Sequence, residues 1–158
     1  MNGRRRFVRQ RLIRFSDCDP AAIVFFPQYF VMFNGLVEDW FDDAEAGLGL
    51  GYHRLVVERR IGLPTVHLEA DFRAVSRMGE RVSLGLAVAR VGSRSIALDL
   101  GCEGADGEVR VTLRQVLVTT SLDTHRALAL PEDLAAALRP WTPEPPAAAP
   151  ASTPTIPN

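Results

Sequence analysis

Two carboxylates just ahead of an apolar stretch are the residues whose type and spacing best suit chemistry. They lie in Asp17-Cys18-Asp19-Pro20-Ala21-Ala22-Ile23-Val24-Phe25-Phe26-Pro27, in which Ala22 to Phe26 is unbroken apolar sequence. Pro27 stands where the first residue of a helix would. An apolar loop feeding a helix start makes a poor solvent loop and a good pocket wall. The free N–H groups of a first helical turn form a ready site for developing negative charge. A carboxylate beside them can act as base or nucleophile in acyl transfer. Taken alone the pattern is also that of two turn residues capping a loop, and both readings stay open at this point. Cys18 is a poor nucleophile, because the flanking carboxylates raise its thiol pKa. His53, His67 and His125 are scattered without partner spacing, and the glycine-rich phosphate loops and zinc spacings are absent.

The elements that must position this loop follow from hydrophobic period. Residues 6–15 alternate as a strand ahead of it. Behind it, apolar residues at 29, 30, 33, 36, 37, 40, 41 and 44 keep a helical period from Gln28 to about Ala44. Val31 and Met32 add apolar surface on the opposite side, so the helix is expected to be covered on most of its circumference. Gly47, Gly49 and Gly51 are expected to end it. Beyond Gly62 the period becomes two, in runs at 66–72, 82–88, 96–102 and 109–120. Gly92-Ser93 and Asp106-Gly107 separate the last three runs at hairpin distance. Consecutive hairpins mean antiparallel pairing. The fold class is therefore α+β, with one sheet curled around one long buried helix and a short closing helix at 131–138.

Composition bounds the rest. The 158 residues amount to one domain, and 47% hydrophobic with 23% charged residues is ordinary globular usage. No apolar run reaches the length of a membrane span. The net charge of -1 gives no basic field for nucleic acid. Two cysteines make no disulfide framework and fit a reducing compartment, so a cytoplasmic location is expected. All 18 basic residues are arginines, six of them at Arg4, Arg5, Arg6, Arg9, Arg11 and Arg14. No apolar stretch follows them as an export signal would require, and they read as a solvated strand edge. Seven of the eleven prolines fall between Arg139 and Asn158. The expected folded domain is 1–138, with 139–158 a disordered proline-rich tail.

The stretch Phe15-Ser16-Asp17-Cys18-Asp19-Pro20-Ala21-Ala22-Ile23-Val24-Phe25-Phe26-Pro27-Gln28-Tyr29 closely resembles the signature of the hotdog-fold 4-hydroxybenzoyl-CoA thioesterase family. Weaker similarity runs through Val56-Val57-Glu58-Arg59, Pro64-Thr65-Val66 and Asp71-Phe72, so it covers about residues 8–122. The resemblance implies a five-stranded antiparallel sheet wrapped around the long helix. It also implies homodimers, paired into dimers of dimers, with active sites at the dimer interface.

Carried over by position, Asp19 matches the catalytic aspartate, as nucleophile or as general base on water. Phe26 matches the helix-start residue whose N–H polarises the thioester carbonyl, a role any amide fills. Arg94 matches a basic position that contacts coenzyme A phosphates, with Arg90 close by. Tyr52 stands where the family can place an aromatic residue near the ligand, and Asp17 anchors the loop. Three positions depart from the pattern. Ala22 replaces a usual Gly, which costs about 1 kcal/mol if φ there is positive. Asn34 replaces an aspartate that faces a ring hydroxyl, and Leu63 replaces a polar residue near it. Together these imply little preference for a para-hydroxylated acyl ring.

The expected activity is hydrolysis of an aromatic, benzoyl-type acyl-CoA to acid and coenzyme A, with no metal and no cofactor. A short-chain or fatty acyl-CoA thioesterase is the alternative, with Phe25, Phe26, Phe30 and Phe33 lining an aliphatic tunnel. A non-catalytic acyl-CoA-binding hotdog protein is the alternative from another class. A hydratase of this fold would need a histidine soon after the aspartate, and positions 20–28 hold none.

Overall fold

The computed structural model describes residues 4–143. Chain order is β1 (Arg6–Leu12), α1 (Pro27–Asp42), β2 (Ile61–Gly62), β3 (Thr65–Phe72), β4 (Arg81–Val91), β5 (Ser95–Gly104), β6 (Val109–Val118), β7 (Thr120–Ser121) and α2 (Glu132–Leu138). Five strands form one antiparallel sheet in the order β1-β4-β5-β6-β3, while β2 and β7 pair separately. Gly107, with φ of 80°, makes the β5–β6 turn, a conformation that favours glycine. Register shifts at Thr65/His67, Val88/Arg90 and Cys102/Glu103 mark irregularities that bend strands, and the sheet curls around α1.

Helix α1 buries Tyr29, Met32, Phe33, Leu36, Val37, Trp40 and Phe41 against the concave face of the sheet. Each such side chain contributes roughly 2 kcal/mol of gross transfer free energy. Opposite them come Val82, Leu84, Leu86 and Val88 from β4, Leu98 and Leu100 from β5, and Leu113 and Leu117 from β6, all in the same core. The expected covering of most of the helix is not met within one chain. Val31 is 61% exposed, and Asn34, Gly35 and Glu38 stand on the open side with it.

The helix ends at Asp42, earlier than expected, because Asp43 caps the turn that follows. Its Oδ1 accepts from the N–H of Glu45 and Ala46. Gly47 is required just beyond, since a Cβ there would lie 2.2 Å from the Trp40 carbonyl oxygen.

The folded chain also runs past the expected boundary at 138. A single 3-10 turn, Arg139–Trp141, buries Trp141 edge-on against Trp40 at 5.3 Å, and the Arg5 guanidinium lies 4.2 Å over its ring. One large aromatic outweighs the local proline signal. The remainder of the proline-rich segment, 144–158, lies outside the described residues.

Strand β1 is an edge, as the arginine run implied, but the arginines are tethered. Arg4 pairs with Asp99, Arg6 with Glu103, Arg9 with Asp43 and Arg11 with Asp17. Among the described residues no helix is long and apolar enough to cross a membrane.

Candidate active site

The loop between β1 and α1 is a small hairpin laid on the start of the helix. Cys18 bridges Val24, and the Asp19 N–H donates to the Ile23 carbonyl at 2.9 Å. Asp17 holds the base of this hairpin. It is 3% exposed, accepts from the Arg14 N–H at 2.8 Å and the Arg11 guanidinium at 2.9 Å, and its carbonyl accepts from the Phe25 N–H. Asp17 is thus the anchor expected of it. The outer side is tied down by the Val24 N–H to the Ser76 carbonyl and the Met78 N–H to the Ala22 carbonyl.

Asp19 sits half-buried at the tip. Its Oδ1 accepts from the Ala21 N–H at 2.8 Å, which fixes the carboxylate, while Oδ2 has no partner among the described residues. Ala22 holds φ at 60°, so the usual glycine position does require positive φ and the chain keeps the loop path despite the methyl. Cys18 has its thiol pKa raised, by burial first and by Asp17 and Asp19 next, which disfavours its nucleophilic thiolate form.

Phe26 occupies the N-cap of α1, and its N–H has no acceptor among the described residues. Neighbouring donors are used or missing: Phe25 donates to Asp17, Pro27 has no N–H, and Gln28 donates back to Phe25. A free amide at the start of a sixteen-residue helix can stabilise an oxyanion through its own N–H and the helix dipole. The Phe26 ring is exposed and packs edge-on against Phe25, Phe30 and Phe72. It lines an open groove of about 280 Å³ with Val24, Tyr29, Phe72, Arg73 and Val75.

Asn34, Tyr52 and Leu63 come together elsewhere. They line a cavity of about 200 Å³ with Val37, Glu38, Thr65, Gln115 and Leu117. Burial, and then the charge of Glu38, pushes the Tyr52 hydroxyl above its ordinary pKa. This cavity is more polar than Asn34 and Leu63 alone imply.

Sequence reasoning missed Gln115, although a signal was present. Val111, Leu113 and Leu117 share a face of β6, and Gln115 is the polar interruption in that row. Asp19 lines neither the groove nor this cavity, so a single chain does not unite all the candidate residues.

Arg90 and Arg94 flank the β4–β5 turn, are exposed, and form no ion pair with an acid among the described residues. The Arg94 carbonyl accepts from the Thr119 N–H at 2.9 Å, and Ile96 pairs with Leu117. The hairpin therefore stands at the cavity's end of the sheet. No group of residues with metal-ligand character occurs among those described.

Residues 13–138 match the Thioesterase-like superfamily. The chain belongs to that family. It is a thioester hydrolase with the hotdog fold. A 1,4-dihydroxy-2-naphthoyl-CoA hydrolase from Synechocystis sp. is 25% identical over 136 residues, 85% of this chain and 91% of that one. In structure, a thioesterase-superfamily protein from Jannaschia sp. superposes with a TM-score of 0.79 at 24% identity, over 90% of this chain and 99% of its own. A 4-hydroxybenzoyl CoA thioesterase variant solved with 4-hydroxybenzoyl CoA gives 0.74 at 23% identity, over 84% and 98%. Both structural likenesses are likenesses of fold.

Proposed function

We propose that this thioesterase hydrolyses an aromatic acyl-CoA, releasing the free acid and coenzyme A. The observation that carries the reading is Asp19, fixed by one oxygen and free at the other, on the loop that leads into the unpartnered Phe26 N–H. As general base, Asp19 takes a proton from water while the water oxygen attacks the thioester carbon. As nucleophile, it attacks that carbon itself, and water then cleaves the anhydride. In both, the carbonyl oxygen becomes an oxyanion held by the Phe26 N–H, the C–S bond breaks, and the departing sulfur takes the proton held by Asp19 in the first route and one from solvent water in the second. The named relatives act on aromatic thioesters, and the cavity around Leu63 and Leu117 offers apolar walls to a flat ring. The fatty acyl alternative loses one wall, since Phe33 is in the core rather than at a groove.

Both halves of the site border the exposed edge strand β3. Phe72, at its end, lines the Phe26 groove, and Thr65, at its start, lines the Asn34 cavity. Val66, Leu68 and Phe72 are exposed, and among the described residues the outer edge of β3 has no partner strand. A two-fold dimer pairing β3 antiparallel with its copy sets the end of one strand beside the start of the other. Asp19 and Phe26 of one subunit then face Asn34, Tyr52, Leu63 and Arg94 of the partner subunit.

The test is thiol release from a panel of aryl and alkyl CoA thioesters by the parent and by Asp19→Asn. Aryl thioesters should react fastest, and Asp19→Asn should lose about three or more powers of ten in kcat while still folding and binding substrate. Turnover within tenfold of the parent, or a clear preference for alkyl chains, contradicts the proposal.

A further inference from the structure

We infer that Gln115 determines acyl-group specificity by accepting a hydrogen bond from a hydroxyl on the substrate ring. The inference rests on the aromatic acyl-CoA reading and adds to it a residue that sets specificity within the acyl cavity. Gln115 lies in the helix-facing row of β6 between Leu113 and Leu117, and pairs across the sheet with Leu98 on one side and Leu68 on the other. It is 3% exposed in these apolar surroundings. Its Nε2 donates to the Thr65 hydroxyl oxygen at 2.7 Å, which sets the plane of the amide. Its Oε1 is buried and has no partner among the described residues. A buried acceptor without a donor is costly, and a leucine here would continue the row at no such cost.

The orphan oxygen belongs to a side chain that lines the Asn34 cavity, so a ligand there can supply the missing donor. Val37, Leu63 and Leu117 suit the faces of a flat ring, and Gln115 adds an acceptor suited to a hydroxyl on it. A ring lacking the hydroxyl leaves Oε1 buried and unpaired, which is how a site rejects an otherwise smaller, similar substrate. This reverses the indifference to ring hydroxylation that Asn34 and Leu63 imply by themselves.

The experiment compares kcat/KM for benzoyl-CoA and its 2-, 3- and 4-hydroxy derivatives in the parent, in Gln115→Met and in Gln115→Glu. The parent should prefer its best hydroxy isomer over benzoyl-CoA by about 10- to 100-fold. Gln115→Met, of similar length with no acceptor, should reduce that preference to within about threefold. Gln115→Glu keeps an acceptor and should keep the preference. A parent that hydrolyses benzoyl-CoA without discriminating the hydroxy isomers overturns the inference alone, as does a preference that survives in Gln115→Met. A parent that hydrolyses no aryl thioester overturns the aromatic reading and this inference together. If Gln115→Met fails to fold, Gln115→Leu, which continues the apolar row and likewise lacks an acceptor, should lose the preference, and a preference retained there overturns the inference.

Discussion

Ala22 shows how little a single methyl disturbs a loop whose ends are held. Its φ of 60° costs an L-residue about 1–2 kcal/mol, yet the N–H groups of Asp19, Phe25 and Met78, donating to the Ile23, Asp17 and Ala22 carbonyls, keep the path. Glycine relieves that strain but adds freedom to the unfolded chain, at roughly 0.4–1 kcal/mol. Ala22→Gly should therefore raise stability by about 0.5–1 kcal/mol, read by denaturant unfolding, with kcat unchanged. Lower stability would show that the loop is held in another way.

Arg94 belongs to the same scale. Its side chain is exposed and without an acidic partner among the described residues, and a contact to a substrate phosphate is alike in ground and transition states. Arg94→Ala should raise KM several-fold with kcat nearly constant, and the KM of the variant should depend less on salt. An unchanged KM at low ionic strength removes Arg94 from the nucleotide site. The placement of Asp19, Phe26 and Asp17 on a loop leading into a helix start was legible in the sequence because local chain order sets it. Gln115 was not, because its meaning depends on which face of β6 meets a cavity.

Among the elements, the turn after α1 carries a pH dependence. The Ala46 N–H first, then the Arg9 guanidinium and the Glu45 N–H, hold the Asp43 carboxyl below the ordinary carboxylate range. A depressed folded value means the unfolded state binds more protons, so the stabilisation is present above the ordinary aspartate value of about 4. It is lost as pH falls through the lower folded value. Asp43→Ala should be less stable than the parent at pH 7, and the gap should close progressively as the pH is taken below 4. A gap that stays constant down to pH 2 would mean that the carboxylate's charge does not matter there.

The five main strands, both helices and the hairpin turns were legible as elements, since period and glycine placement are local signals. The end of α1 was misplaced because the Asp43 cap acts before the glycines do. The boundary at 138 fell short because Trp141 finds Trp40, a contact almost exactly a hundred residues away that no local pattern encodes.

At the scale of the whole molecule, the described residues leave Asp19 outside the cavity that holds Asn34, Tyr52, Leu63 and Gln115, and leave β3 with an open edge. In the proposed two-fold dimer, each site takes Asp19 and Phe26 from one subunit and the acyl cavity from the other. Mixing two variants that are inactive for different reasons tests this most directly. Asp19→Asn lacks the catalytic carboxylate, and Leu63→Trp fills the cavity. Unfolded and refolded together in equal amounts, they form mixed dimers that each hold one intact site, and about a quarter of parental thioesterase activity should return. If each site lies within a single chain, every site in the mixture carries one of the two lesions, and activity staying at the level of the separate variants would contradict the account.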